Sequence, residues 1–303
     1  MSEMVVPDGW EVRKSYEIFE FINGKAFYSD GYSDGGYRVI DLLNINLDGK
    51  FQLTVKDKYI PLITYEKYPK SHLQKDDLII IMTDITPTLG LIGKTAIIDR
   101  NFAYVLNQRV GCLRVLMQGE VSIPFMNNMF NSSIVRLQVI KNTLGTAQYY
   151  INTPEIKKLS IPLPPLPEQQ KIASILTSVD EVIEKTQSQI NKLQDLKKGT
   201  MNELLTKGIG HTEFKDSPVG KIPVGWEVKR LDDVTIRGSG HTPNKKIPEY
   251  WNGCIKWVSL ADSFRLDSGF ISDTDKEISQ EGLNNSSAVL HPKGTVILSR
   301  DAG

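Results

Sequence analysis

The spacing of hydrophobic residues changes character twice along this 303-residue chain. Up to about residue 161 they come in short runs. Leu78-Ile79-Ile80-Ile81-Met82 is the plainest, with the unbroken apolar texture of a strand buried on both faces. Val105, Val110, Leu113, Val115 and Ile123 read as further strand material. Gly31, Gly35, Gly36, Pro61, Pro87 and Gly90 punctuate the runs as turns. The pattern predicts a loop-rich domain of strands with only short helices. Loops on a rigid scaffold are where recognition residues gather.

The spacing then becomes helical. Ile161-Pro162-Leu163-Pro164-Pro165-Leu166-Pro167 cannot be helix interior, because its prolines lack a donor and restrain the residues before them. It predicts a stiff, extended lead-in. Pro167 suits the first helical turn, and Glu168 suits the positive end of the helix dipole. Only Gly199 interrupts the stretch down to Lys207, and Gly208 and Gly210 are stop signals. Inside it, Ile172, Ile175, Val179, Val182, Thr186, Ile190, Leu193, Leu196 and Leu204 recur mostly every three or four positions, as in a coiled-coil seam. Asp180, Glu181, Glu184, Lys185, Lys192, Asp195, Lys197 and Lys198 fill the polar face. A helix of about 40 residues is a rod of about 60 Å, too long to bury its stripe on a small domain. The seam therefore predicts a partner helix. The other reading is an amphipathic helix laid against its own domain.

Past a polar connector, Glu213-Phe214-Lys215-Asp216-Ser217-Pro218, the opening pattern returns. Pro7-Asp8-Gly9-Trp10-Glu11-Val12-Arg13-Lys14 is echoed by Pro223-Val224-Gly225-Trp226-Glu227-Val228-Lys229-Arg230. Leu78-Ile79-Ile80-Ile81-Met82-Thr83-Asp84 is echoed by Thr295-Val296-Ile297-Leu298-Ser299-Arg300-Asp301. Two landmarks in the same order predict a duplicated domain, since the repeat is far longer than a solenoid period. One complete unit and the opening of a second are expected. Between the second pair of landmarks, a loop around Gly240, Pro243 and Pro248 carries Lys245 and Lys246. Trp257-Val258 and the run ending at Leu298 read as strands. The expected fold class is α+β, divided into 1–161, a helix over 162–208, and 209–303.

Charge changes this picture only locally. Thirty-six basic and 36 acidic residues cancel. Over 85–160, however, Lys94, Arg100, Arg109, Arg114, Arg136, Lys141, Lys157 and Lys158 outnumber Asp99, Glu120 and Glu155. A basic face of that kind can hold a polyanion even on a neutral chain. Cys112 and Cys254 form no redox or metal spacing, which suits a reducing compartment. No apolar stretch reaches the ~20 residues of a membrane helix, and Glu3 and Asp8 stand where a signal peptide would be apolar. A cytoplasmic protein with no membrane association is expected. His72, His211, His241 and His291 show no ligand spacing, so no metal site is expected. There is no glycine-rich phosphate or dinucleotide loop. Asp8 ahead of Glu11-Val12-Arg13 loosely echoes a metal-dependent nuclease, but too tightly spaced, and Val224 replaces the aspartate in the second copy. No catalytic residue is expected.

The sequence resembles a known family on four points, taken in order. These are Gly-Trp-Glu-Val, the junction Pro164-Pro165-Leu166-Pro167-Glu168-Gln169-Gln170, the long helix, and Gly-Trp-Glu-Val again. Ile92-Gly93-Lys94-Thr95-Ala96 and the stretches 284–288 and 292–299 add to the likeness. Together they resemble the specificity subunit of Type I restriction–modification systems, over essentially the whole chain. That resemblance implies target recognition domains alternating with long helices, and no cofactor of its own. The implied partners are double-stranded DNA, methyltransferase subunits that supply S-adenosylmethionine chemistry on adenine, and a restriction and translocase subunit that uses ATP and Mg²⁺. The chain departs from the family in lacking the rest of a second recognition domain and a second helix. Either the sequence is a fragment, or the seam takes its mate from another copy; a homodimer is the favoured expectation. Such a pair would set one recognition domain at each end of a two-part site. The alternative is a homodimerising coiled-coil scaffold without DNA recognition of its own. Residues with the chemistry to read bases or hold phosphates sit in the predicted loops: Thr83, Thr86, Thr88, Lys94, Asn107, Gln108, Arg109, Asn142 and Gln148, with Lys245, Lys246 and Arg300 in the partial copy.

Overall fold

The apolar run at 78–81 forms one of the two inner strands of the largest sheet. In the computed structural model, which describes residues 5–28, 31–86, 88–101, 104–238 and 240–298, the chain divides into two compact units. These are Met1–Gln194 and Asp195–Gly303, and their boundary falls inside one helix. Each unit mixes small sheets with helices, an α+β fold.

The first unit opens with β1 (Glu11–Lys14), α1 (Ser15–Ile18) and β2 (Phe19–Asn23), followed by β3 (Tyr37–Ile40), β4 (Lys58–Ile60) and α2 (Leu62–Lys67). Next come β5 (Leu78–Ile81), β6 (Thr83–Asp84), β7 (Thr95–Ile97), β8 (Tyr104–Leu106) and β9 (Val110–Val115). Strands β2, β9, β5 and β7 pair antiparallel in that order, while β4, β3 and β8 form a second sheet in which β3 and β8 run parallel.

Period-two alternation explains why β5 is apolar throughout. Leu78 and Ile80 pack with Ile18, Phe19 and Leu113 under the helices α3 (Ile123–Asn131) and α4 (Ser133–Lys141). Ile79 and Ile81 point the other way, against Ala96, Tyr104, Leu106, Val110 and Cys112. All four β5 side chains are fully buried, and each such burial stabilises by about 1.5–3 kcal/mol. A bidentate ion pair fixes the start of the sheet: Arg114 Nε and Nη2 donate to the two oxygens of buried Asp77 at 2.8 and 2.6 Å.

Ile123 is helical, against the strand expectation. The Ser122 hydroxyl caps the helix by accepting from Phe125 N, and Pro124 fits the first turn. These cap signals outweigh the β preference of one isoleucine.

The unit closes with β10 (Tyr149–Tyr150), α5 (Thr153–Lys157), β11 (Ser160–Leu163) and α6 (Leu166–Lys207). The proline lead-in is extended as expected, and β11 pairs antiparallel with β1, Val12 opposite Pro162. Helix α6 runs unbroken for 42 residues. It stops at Gly208, whose φ of +69° suits glycine and whose N–H closes on Leu204 O at 3.0 Å.

In the second unit, the expected connector is instead a hairpin of β12 (Phe214–Ser217) and β13 (Gly220–Pro223). Pro218-Val219 forms its tip, Gly220 takes a φ of +102°, and Ile222 is buried. The Ser-Pro-x-Gly turn is strong enough to fold a polar segment back. Then follow α7 (Leu231–Val234), β14 (Trp251–Trp257), β15 (Lys276–Ile278) and α8 (Gln280–Asn284). The run at 295–298 is not a strand, against expectation. Its counterpart β5 is held between β7 and β9, whereas no described residue of the second unit pairs with 295–298.

Candidate nucleic-acid interface

Three loops of the first unit meet at Met82. Its N–H donates to Arg109 O at 3.0 Å, and its carbonyl accepts from Ile151 N at 3.0 Å. At the preceding residue, the last of β5, Ile81 N donates to Lys94 O at 2.9 Å, and Gly93 N donates to Ile81 O at 2.8 Å. Beyond Met82, β6 pairs with β10, Thr83 opposite Tyr150 and Asp84 opposite Tyr149. The loop after β6, the Gly93-Lys94 turn, the Asn107–Arg109 turn and the hairpin at 142–150 therefore share one end of the sheet.

Each loop is held from inside. Asp84 is buried, and its carboxylate accepts from Thr86 N and Thr86 Oγ1 at 2.8 Å, Leu91 N at 2.8 Å and Ile92 N at 3.1 Å. Burial alone would raise its pKa, but these hydrogen bonds outweigh it and hold the carboxyl below its ordinary value. Arg136 closes the same loop from the other side, its guanidinium donating to Ile92 O and Leu89 O at 2.8 Å and to Gly90 O at 3.1 Å. Burial pulls Arg136 below its ordinary pKa, with Asp84 opposing. Gly93 is required at φ +74°, because a Cβ there would lie 2.6 Å from Val139 Cγ1. The next residue, Lys94, is half-buried, and burial followed by the charge of Arg136 lowers its pKa.

The expected contact residues separate by what their side chains do. Thr86 bonds Asp84, Asn107 Oδ1 accepts from Arg109 N at 3.2 Å, and Asn142 Nδ2 donates to Gln138 O at 2.9 Å. These three build their own loops. Thr88, Gln108, Arg109 and Gln148 are exposed, and Thr83 and Lys94 are half-buried. Lys245 and Lys246 are exposed on a turn of the second unit, and Arg300 lies outside the described residues. Sequence reasoning missed Asp84 and Arg136. The signal for Asp84 was an aspartate two residues before a threonine in a loop start; nothing local marks Arg136.

A second feature is the root of α6. Gln169 is buried; its Oε1 accepts from Ser122 N at 2.9 Å, and its Nε2 donates to Pro164 O at 2.8 Å and Glu120 O at 3.2 Å. Ala173 is buried beside it, and Ile172, expected in the seam, packs on the domain core. Further along, Lys50 pairs with Glu184. At 3.6 residues per turn, Gln169, Ala173 and Glu184 share one side, and the seam lies roughly 145° round from it. The seam beyond Ile172 is accordingly open: Ile175 is 52% exposed and Leu193 64%.

Among the described residues there is no cluster of His, Cys, Asp and Glu fit to hold a metal ion, and no helix is long and apolar enough to cross a membrane. The first unit thus presents converged polar loops on small sheets, with the foot of α6 packed into its core. The chain belongs to the family of the Type I restriction modification DNA specificity domain, whose pattern matches residues 7–195 and 223–303. It is 32% identical over 230 residues to a putative type I restriction enzyme specificity subunit, MjaX, of Methanocaldococcus jannaschii, covering 75% of this chain and 52% of that protein. It is 30% identical over 203 residues to the MjaVIII specificity subunit of the same organism, covering 66% and 46%. The S subunit from M. genitalium superimposes with a TM-score of 0.46 at 18% identity, over 66% of this chain and 47% of that one. The chain thus spans about half the length of the curated relatives it matches.

Proposed function

We propose that this chain is a DNA sequence-recognition component of a Type I restriction–modification complex, without catalysis of its own. It directs adenine methylation and restriction to a two-part site. The observation that carries this reading is the convergence of three loops at Met82, in a chain of the specificity family. The only acid built into the 83–94 loop, Asp84, is turned inward, so the basic and amide side chains are left to face a polyanion. The DNA-facing set is Thr83, Thr88, Lys94, Gln108, Arg109 and Gln148, with Thr86, Asn107 and Asn142 shaping the loops. Lys245, Lys246 and Arg300 serve in the second recognition domain. Residues 1–161 form the first recognition domain, 162–208 the spacer helix and 209–303 part of the second.

The chemistry falls to partners: methyltransferase subunits with S-adenosylmethionine, acting on a base drawn out of the stack, and a restriction subunit driven by ATP and Mg²⁺. The test is to exchange the loops at 83–94, 107–109 and 142–148 for those of a relative and map methylated sites. A changed methylated sequence is expected; an unchanged one refutes the reading.

A second reading is favoured by the open seam of α6. Ile175, Val179, Val182, Thr186, Ile190, Leu193 and Leu196 pack against a second long helix, in a homodimer of this chain. Light scattering is expected to show a dimer, and a stable monomer refutes it.

A further inference from the structure

Resting on that reading of the loops, we propose that Arg109 is the specificity-determining residue of the first recognition domain, reading a guanine edge. Lys25, Lys58 and Lys67 hold the flanking phosphates.

The first unit has six arginines. Five are committed within the protein. Arg13 pairs with Glu11, Arg38 with Asp57, Arg100 with Asp99 and Arg114 with Asp77, and Arg136 donates to three carbonyls. Of these six, only the Arg109 guanidinium has no hydrogen bond, ion pair or ring contact among the described residues.

Its backbone, by contrast, is fixed. Arg109 O accepts from Met82 N, Gln108 N donates to Lys25 O at 3.1 Å, and Val110 N donates to Asn107 O at 3.1 Å. Gly24 permits this close approach, since a Cβ there would sit 1.9 Å from Asn107 O. A free guanidinium on an immobile root suits bidentate bonding to O6 and N7 of guanine, because little freedom remains to be lost on binding.

The surroundings fit a nucleic acid better than an acidic protein. Gln108 and Arg109 line a cavity of about 360 Å³ with Phe27, Tyr32 and Lys58. Asp41, the acid on its wall, accepts from Leu43 N at 2.8 Å and caps the turn at 42–44. Lys58 Nζ stands 4.7 Å over the Tyr32 ring. Phe27 meets Tyr68 edge-on, and Tyr68 carries Lys25 and Lys67 at 5.1 and 5.7 Å. None of these three lysines pairs with a carboxylate among the described residues. Basic heads interleaved with aromatic rings beside a reading side chain give the split between phosphate holding and base reading.

The test uses the full chain assembled with its methyltransferase subunits, selecting from a pool of DNA duplexes with a randomised stretch. Wild type should enrich a two-part motif. Arg109→Ala should lose preference at one guanine by about 10-fold or more while the rest of the motif stays. Arg109→Lys, which keeps charge but not the fork, should lose the same preference and retain affinity. Replacing Lys25, Lys58 and Lys67 by alanine should keep the motif and weaken all sequences alike, lowering the salt slope by about one per phosphate contact. An unchanged motif in both Arg109 variants overturns this proposal and leaves the recognition function standing. Failure of Arg109→Ala to assemble, with a normal motif in Arg109→Lys, assigns the residue to a protein contact and overturns it too. No motif with wild type overturns the recognition function itself.

Discussion

The first and second units begin with the same words and end differently. Trp10 N bonds Pro7 O at 3.1 Å, and Trp226 N bonds Pro223 O at 2.9 Å, the same turn made twice. A single helical turn follows at matching positions, Ser15–Ile18 and Leu231–Val234. Yet Ile18 is fully buried and Val234 is 58% exposed. Glu11–Lys14 is a strand because Ser160–Leu163 returns to pair with it, whereas 227–230 has no such partner among the described residues and stays irregular. The apolar run divides the same way: Leu78–Ile81 is wholly inside, and Val296 is 90% exposed. Turns and helical turns close on nearby residues, so the repeat carries them into both units. Strands and cores close on distant ones: the first unit supplies such partners to 11–14 and 78–81, and no described residue of the second unit supplies them to 227–230 or 295–298.

The sharpest way to break that contrast is to place a charge in each copy of the run. Ile80→Asp should unfold the first unit, costing more than about 4 kcal/mol, because the carboxylate has no partner there. Val296→Asp should change stability by no more than about 0.5 kcal/mol. Urea denaturation followed by circular dichroism measures both, and equal effects would erase the distinction between the units.

The root of α6 comes next. Gln169→Leu leaves Ser122 N and the carbonyls of Glu120 and Pro164 without that partner, at a cost of about 2–4 kcal/mol. Proteolysis at 164–172 should accelerate in that variant, while cleavage at 195–207 should not.

Asp84→Asn should cost about 1–3 kcal/mol at pH 7. The native carboxyl titrates below its unfolded value, so its contribution is complete above about pH 4 and disappears as pH falls through the lower folded value. The gap between variant and wild type should therefore close in acid. A gap independent of pH would mean that charge plays no part in holding the loop.

The smallest effect lies at the alkaline end. Burial first, then the 2.9 Å hydrogen bond donated to Asp99, pushes the Tyr104 hydroxyl up to about 12. The protonated phenol thus stabilises the fold below its ordinary value near 10, and that stability is lost as pH rises towards 12. Tyr104→Phe should lack this step in a stability profile taken across that range.

Several elements were legible in the residues themselves. The five apolar residues at 78–82 announced a doubly buried strand, and the prolines at 162–167 announced an extended lead-in. The spacing from Ile172 to Leu204 announced the helix, stopped by Gly208. Ile123 was misread because one isoleucine was weighed above the Ser-x-Pro cap around it. The hairpin at 214–223 was misread because its polar composition hid a turn signal. At the candidate interface, residue type and loop position brought out Arg109 and Gln108, but could not distinguish them from Thr86, Asn107 and Asn142, whose side chains hold their own loops.

What the sequence determined alone was therefore local: the turn before each tryptophan, the start and stop of α6, the open apolar stripe along it, and membership of the specificity family. Only the tertiary structure decided that the loops after β6, β8 and α4 meet at Met82. It also decided that five of six arginines in the first unit are taken up, and that Gln169 anchors the helix. Local elements are fixed by hydrogen bonds between residues a few positions apart, which composition and spacing reveal. Convergence depends on strands paired across tens of residues, and no short window of the chain contains both partners.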